Sequence, residues 1–217
     1  MILRKYRRGV CVKGLNSGFG AWHKRRCKSG FSLIELFVVI SIIIVLAGLI
    51  LSTVSYVQKK GTRSRAEVEI AAISAALESY KADNGIYPRD NTTNQYTDTL
   101  DARQNTDPTQ TVYQNASLYL YEQLSGDSSA NLQPPATAKI YFSFKPQMLG
   151  GTRDANGNLT SVSYIRDPFG NSYGYSTIQA ANPGDSTKGY NPTFDLWSTA
   201  GTTSGSATDL NQWIKNW

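Results

Sequence analysis

Lys28-Ser29-Gly30-Phe31-Ser32-Leu33-Ile34-Glu35-Leu36-Phe37-Val38-Val39-Ile40 decides how this chain folds. A lysine and two small residues lead into a stretch of almost pure hydrocarbon, which a single carboxylate, Glu35, interrupts. On insertion scales an acid near mid-bilayer costs roughly 2.5–3.5 kcal/mol, so such residues are rare and usually have a partner. The residues alone leave two readings of Glu35 open. Either it rests at the membrane interface, where the cost is small, or it is paired inside the membrane.

Outward from the junction, no residue from Leu36 to Gln58 is charged. A bilayer span needs about 20 apolar residues, so this run is long enough, and longer than the ~7–15 residues of a secretory signal's apolar region. The basic cluster Lys24–Lys28 precedes the span, while Lys59, Lys60, Arg63 and Arg65 follow it. The N-terminal side carries more positive charge and no acid, which predicts a cytoplasmic N-terminus and a body on the outer side.

Charge and cysteine divide at the same place. Residues 1–30 hold nine of the 22 basic residues and no acid, leaving 13 basic against 16 acidic groups beyond them, a formal charge of −3. The net +6 therefore belongs to the first 30 residues, and no nucleic-acid partner is expected. Cys11, Cys27 and the one histidine, His23, also lie there. Without that segment the chain has no disulfide, no Cys/His metal site, no Cys–His nucleophile and no histidine base. Enzymes built on carboxylates, Ser/Lys or Tyr survive the exclusion, but no nucleophile–base constellation is visible.

After the span the pattern becomes amphipathic. Ala66, Ile70, Ile73, Leu77 and Tyr80 recur at helical spacing, with Glu67, Glu69, Glu78, Ser79 and Lys81 on other faces. Asp83-Asn84-Gly85 and then Tyr87-Pro88 stop the helix. One helix from Phe31 to Asp83 would be about 80 Å long, with Gly48 and Gly61 as points where it could bend. Beyond it, 89–138 reads as a long variable loop, dense in Asn, Thr, Gln and Asp over Asn91–Gln114, containing one short helix at Ala116–Leu124. Strands are predicted over Lys139–Phe144, Asn158–Arg166, Tyr173–Ile178 and Thr193–Trp197, with turns at Gly150-Gly151 and Asn156-Gly157. The class is α+β, a long N-terminal helix packed on a small, mainly antiparallel sheet.

KSGFSLIELFVVI resembles the processing site of type IV prepilins and type II secretion pseudopilins. In that family a membrane-embedded prepilin peptidase cuts after the glycine and methylates the new terminal amine. Carried over, the cleavage falls at Gly30–Phe31, Phe31 is N-methylated, and Glu35 neutralises the amine of a neighbouring subunit. The chemistry suits these roles: Gly30 offers no side chain to obstruct a cleft, and an ion pair is far stronger in low dielectric than in water. The resemblance implies a leader at 1–30, a membrane and assembly half of the helix at 31–58, an amphipathic stalk half at 59–84 and a globular domain at 85–217. Where the family often has a proline late in the apolar segment, this chain has Ser52.

Three later segments are similar to the G-type major pseudopilin of type II secretion: ALESYKADNGIYP (Ala76–Pro88), DPFGNSYGY (Asp167–Tyr175) and FDLWSTAG (Phe194–Gly201). The first DPFGN residues also read as a fold-setting turn, with Pro168 and Gly170-Asn171 suited to its central positions. In G-type pseudopilins the last loop commonly binds calcium, which needs six to eight oxygens. Matching positions here are the Leu196 carbonyl, Ser198 and Asp209, but Asp209 is the only acid in Leu196–Trp213, so a plain polar loop is the favoured reading. No other cofactor is expected. The C-terminal Trp213–Trp217 is predicted to cap the domain by aromatic packing.

The resemblance implies a structural, non-enzymatic subunit in the bacterial inner membrane. It would span once, with its globular domain in the periplasm, and polymerise with itself into a periplasmic filament. Its further partners would be the peptidase, other pseudopilins and the inner-membrane assembly machinery. A type IV pilus subunit and a membrane-anchored extracytoplasmic enzyme or binding domain are the competing classes.

Overall fold

The computed structural model describes residues 31–90 and 96–217. Helix α1 (Leu33–Asn84) runs unbroken through Gly48 and Gly61. It ends as the residues require: Gly85 takes φ +78° and its N–H closes onto the Lys81 carbonyl. The chain falls into two units that meet at Gly48 and Leu49. The described part of the first is the start of α1, exposed throughout.

In the second unit the predicted stripe forms the core. Ala66, Ile70, Ile73 and Leu77 are buried together with Leu120, Tyr121 and Leu124 of α3 (Thr111–Ser125) and with residues of five strands. These are β1 (Leu149–Arg153), β2 (Leu159–Ile165), β3 (Gly174–Ser176), β4 (Asp195–Ser198) and β5 (Ile214–Lys215). All pairings are antiparallel: β1–β2 is a hairpin running from Leu149↔Ile165 to Arg153↔Leu159, and β3-β4-β5 is a separate sheet of three. Single-turn helices α2 (Tyr96–Thr99), α4 (Ile178–Ala181) and α5 (Ala207–Leu210) complete the unit. The α+β architecture is the one predicted.

Three local expectations are corrected. First, 89–138 is not one loop with a short helix. Helix α3 begins at Thr111, five residues before the expected Ala116, because Tyr113 and Ala116 are buried in a second apolar cluster with Leu100, Ala102, Trp197 and Trp213. Its start is silent in sequence, since Gln110 at the N-cap makes no capping side-chain hydrogen bond. Second, Lys139–Phe144 forms no strand. The N–H groups of Tyr141 and Phe142 both donate to the Leu124 carbonyl at the end of α3, and the aromatic rings pack inward, Tyr141 on Tyr80 and Phe144 on Tyr121. Third, Gly150-Gly151 lies within β1 rather than in a turn. A Cβ on Gly150 would stand 2.3 Å from the Tyr164 ring, and one on Gly151 2.0 Å from the Ser161 carbonyl. The glycines permit close strand approach at a bulge.

Glu69, expected on a face other than the apolar stripe, instead lies on the buried side of α1. It is buried, accepting the Tyr173 hydroxyl at 2.9 Å and the Arg65 guanidinium at 2.8 Å. Beside the apolar packing of the core, a side-chain hydrogen bond ties helix α3 to β2: buried Ser117 accepts the Ile165 N–H at 2.8 Å. Ser117→Ala should orphan that N–H and cost about 1–3 kcal/mol, read as a lower melting temperature. An unchanged melting temperature would show that the N–H finds water instead.

Candidate functional site

Two regions carry the candidate residues. The first is the start of α1. Phe31 and Ser32 precede the first helical residue, and the Ser32 carbonyl accepts the Leu36 N–H at 3.1 Å. Glu35 lies in the first turn of α1, where the helix dipole favours a negative charge. Around it Leu33, Ile34, Leu36, Phe37, Val38 and Val39 are exposed. The 18-residue window Leu33–Ile50 has a mean hydropathy of 3.0 with none of it buried, so this helix is long and apolar enough to cross a membrane. Ser41 satisfies its hydroxyl locally on the Val38 carbonyl, as a helix in hydrocarbon requires. Among the described residues Glu35 has no ion-pair partner. Gly30 lies outside the described residues.

The second region joins the DPFGN turn to the C-terminal loop. Asp167 is buried and organises the turn: one carboxylate oxygen accepts the Phe169 N–H at 3.0 Å and the Asn171 N–H at 2.8 Å, and the other accepts the Ser198 hydroxyl at 2.5 Å. Gly170 takes φ +100°. The turn therefore sets the fold by tying β4 to the end of β2. Asp195, equally buried, accepts the N–H groups of Tyr190 and Asn191, both at 2.8 Å.

The three candidate calcium ligands have separate engagements. The Leu196 carbonyl accepts the Asn216 N–H at 3.2 Å, Ser198 is bound to Asp167, and Asp209 accepts the Ser204 hydroxyl on an exposed turn of α5. No group of three or more acidic, histidine or cysteine side chains is gathered among the described residues. The residues present do not fit a six-to-eight-oxygen cation site. The C-terminal prediction holds better: Trp213 stacks on Trp197 with centroids 6.1 Å apart, and Trp217 on Tyr190 at 4.5 Å.

No family model matches the chain, and no solved structure matches it. Curated relatives do. It is 33% identical to the type II secretion system core protein G of Aeromonas hydrophila over 138 residues, 62% of this chain and 94% of that protein. The protein of the same name from Dickeya chrysanthemi is 30% identical over 152 residues, 69% of this chain and 97% of that one. The chain belongs to the type II secretion system core protein G family. A third relative, from Pseudomonas aeruginosa, is 43% identical over 65 residues, 30% of this chain. This G-type pseudopilin is thus recognisable across nearly the whole length of two relatives, while about a third of its own residues lie outside each match.

Burial pushes the Asp167 carboxyl above the usual carboxylate range, and the Ser198 hydroxyl and the turn's N–H groups offset this only in part. Asp195 is raised for the same reason. A raised acid holds its proton in the folded state to higher pH than in the unfolded chain. Its contribution to stability is therefore fullest below the ordinary value of about 4 and is lost as pH rises through the folded value. Asp167→Asn cannot titrate, so its melting temperature should improve relative to the parent as pH rises from about 4 to about 7. A constant difference between the two would show that Asp167 does not change charge in that window.

Proposed function

We propose that this chain is the structural subunit of a type II secretion pseudopilus. Prepilin peptidase cleaves it after Gly30 and methylates Phe31, and it polymerises through α1 to drive protein export across the outer membrane. One observation carries the reading: an exposed apolar stretch of α1, Leu33–Ile50, whose one carboxylate, Glu35, has no ion-pair partner among the described residues, in a chain whose relatives are named type II secretion system core protein G. An apolar stretch that no described residue covers needs lipid before assembly and neighbouring helices after it. The carboxylate needs a cation, and cleavage supplies one on the next subunit, the Phe31 amine.

The chain then spans the inner membrane once, N-terminus in the cytoplasm, with residues 85–217 in the periplasm. Its partners are copies of itself, the other pseudopilins, the peptidase and the inner-membrane assembly machinery; the role is not enzymatic. Mass analysis of the processed protein should find N-methylated Phe31 as its first residue, and a start anywhere downstream would overturn the reading. Deletion of the gene should abolish export of the secreted enzymes and leave surface pili unchanged.

A further inference from the structure

Within the second unit, residues that sequence reasoning assigned to a variable loop reach the C-terminal loop from several sides. We propose that the loop Thr199–Trp213 is held by the chain's own middle segment, Tyr96–Tyr113, in place of a bound cation.

Several of the loop's side-chain oxygens are already committed. Ser198 donates to Asp167 and accepts the Ala200 N–H at 3.1 Å. Thr202 donates to the Thr199 carbonyl at 2.7 Å and accepts the Trp213 indole N–H at 3.3 Å. Ser206 caps α5 by accepting the Asp209 N–H at 3.2 Å, while the Asp209 carboxylate takes the Ser204 hydroxyl. The Thr199 hydroxyl is buried without a partner, a single neutral oxygen and far short of a coordination shell.

Protein groups stand where a staple would be needed. The Trp197 indole N–H donates to the Tyr113 hydroxyl at 3.1 Å, and that hydroxyl donates to the Asn105 carbonyl at 2.7 Å. This relay runs from β4, the strand that opens the loop, into the middle segment. Trp213, which closes the loop, stacks on the same Trp197 at an interplanar angle of 10°. Leu100 and Ala102 lie in the same buried cluster, and Leu210 packs against it. At the loop's tip the backbone of Gly205 sits directly on Thr106, where a Cβ would stand 2.3 Å from the hydroxyl oxygen. From α1 the Arg63 guanidinium, which also pairs with Glu67 at 3.3 Å, donates to the Gln212 carbonyl at 2.6 Å. Together these contacts close the loop at both ends and the tip, which is the work a chelated ion would do. They are independent of the filament reading.

The test is limited proteolysis of the full chain in detergent, following cleavage within Thr199–Trp213, with CaCl2 alone as the cation probe. Adding EDTA should change the cleavage rate by less than about twofold, and CaCl2 titration should show no saturable binding, since a ligand stabilises only in proportion to its occupancy. Gly205→Ala should speed cleavage about tenfold, because its φ of +63° and its contact with Thr106 both resist a Cβ. Thr106→Gly in the same chain should recover much of that loss, which a defect in loop geometry alone would not allow. Tyr113→Phe, which keeps the ring and removes both hydrogen bonds, should also speed cleavage if Gly205→Ala does not fold. The proposal is overturned if EDTA accelerates cleavage about tenfold and CaCl2 reverses it, or if the variants cleave at the parental rate.

Discussion

Glu35→Leu is expected to leave the protein in the membrane and abolish its filaments. The substitution removes the one charge from a helix start whose other side chains are apolar, so insertion into hydrocarbon becomes easier, not harder. Assembly should respond in the opposite direction. In the proposed filament each added subunit brings a Phe31 amine against the Glu35 of a neighbour. The attraction of two charges about 4 Å apart rises from about 1 kcal/mol in water to about 4 kcal/mol at an effective dielectric of 20. Removing one partner of a buried pair costs about 3–5 kcal/mol, which lowers the constant for each subunit addition by roughly two to four orders of magnitude. Glu35→Gln separates charge from shape and should fail in the same way. Carbonate extraction reads membrane retention, and sheared or cross-linked material reads polymer. Filaments of normal abundance from either variant would refute the pairing.

Glu35 was legible because a carboxylate among hydrocarbons contradicts its surroundings, and one chain suffices to see that contradiction. Its partner is not legible in the same way, since no cation of the described chain meets it. The long helix was legible for similar reasons: an uncharged run, a stripe at helical spacing and an Asp-Asn-Gly stop are all local signals. Glu69 shows the limit. Its residue type groups it with Glu67 and Glu78, but at about 100° per residue it lies opposite both and on the side of Ile73 and Tyr80. What the sequence does not show is its partner, the hydroxyl of Tyr173, 104 positions away. The short strands β3 and β4 were legible from their aromatic and β-branched residues, although all their residues are buried and the alternation of a half-exposed strand is missing. The two-residue β5 is too short to leave any pattern. Gly150-Gly151 misled because the residue type that permits a turn also permits close strand contact. The middle segment looked like loop because its composition is polar, while a few residues, Leu100, Tyr113 and Ala116, place it in the core.

Those few residues meet on Trp197, and its loss should be the most damaging single change to the folded body. The side chain is fully buried between Tyr113, Trp213 and Trp217, with ring centroids 5.6, 6.1 and 5.8 Å away. Trp197→Ala should cost about 3–5 kcal/mol and lower the melting temperature by roughly 10 °C, because neither sheet nor loop can close over so large a cavity. The facing strand sharpens the test. Gly174 is paired with Trp197 across β3 and β4, and a Cβ there would stand 2.2 Å from the indole Cε2 and 2.3 Å from Cζ2. Gly174→Ala alone must therefore displace the indole or part the strands. Trp197→Phe alone leaves empty the space that the larger indole filled and removes the donor to the Tyr113 hydroxyl. In the double variant the new methyl enters the space the indole vacated. The two losses should then fall short of their sum by about 1 kcal/mol or more, a coupling expected only of side chains in direct contact. Thermal melts of the four proteins, followed by circular dichroism, measure it. Strict additivity would mean that the strands part to admit the methyl whatever ring lies opposite, and that the indole does not set the spacing of β3 and β4.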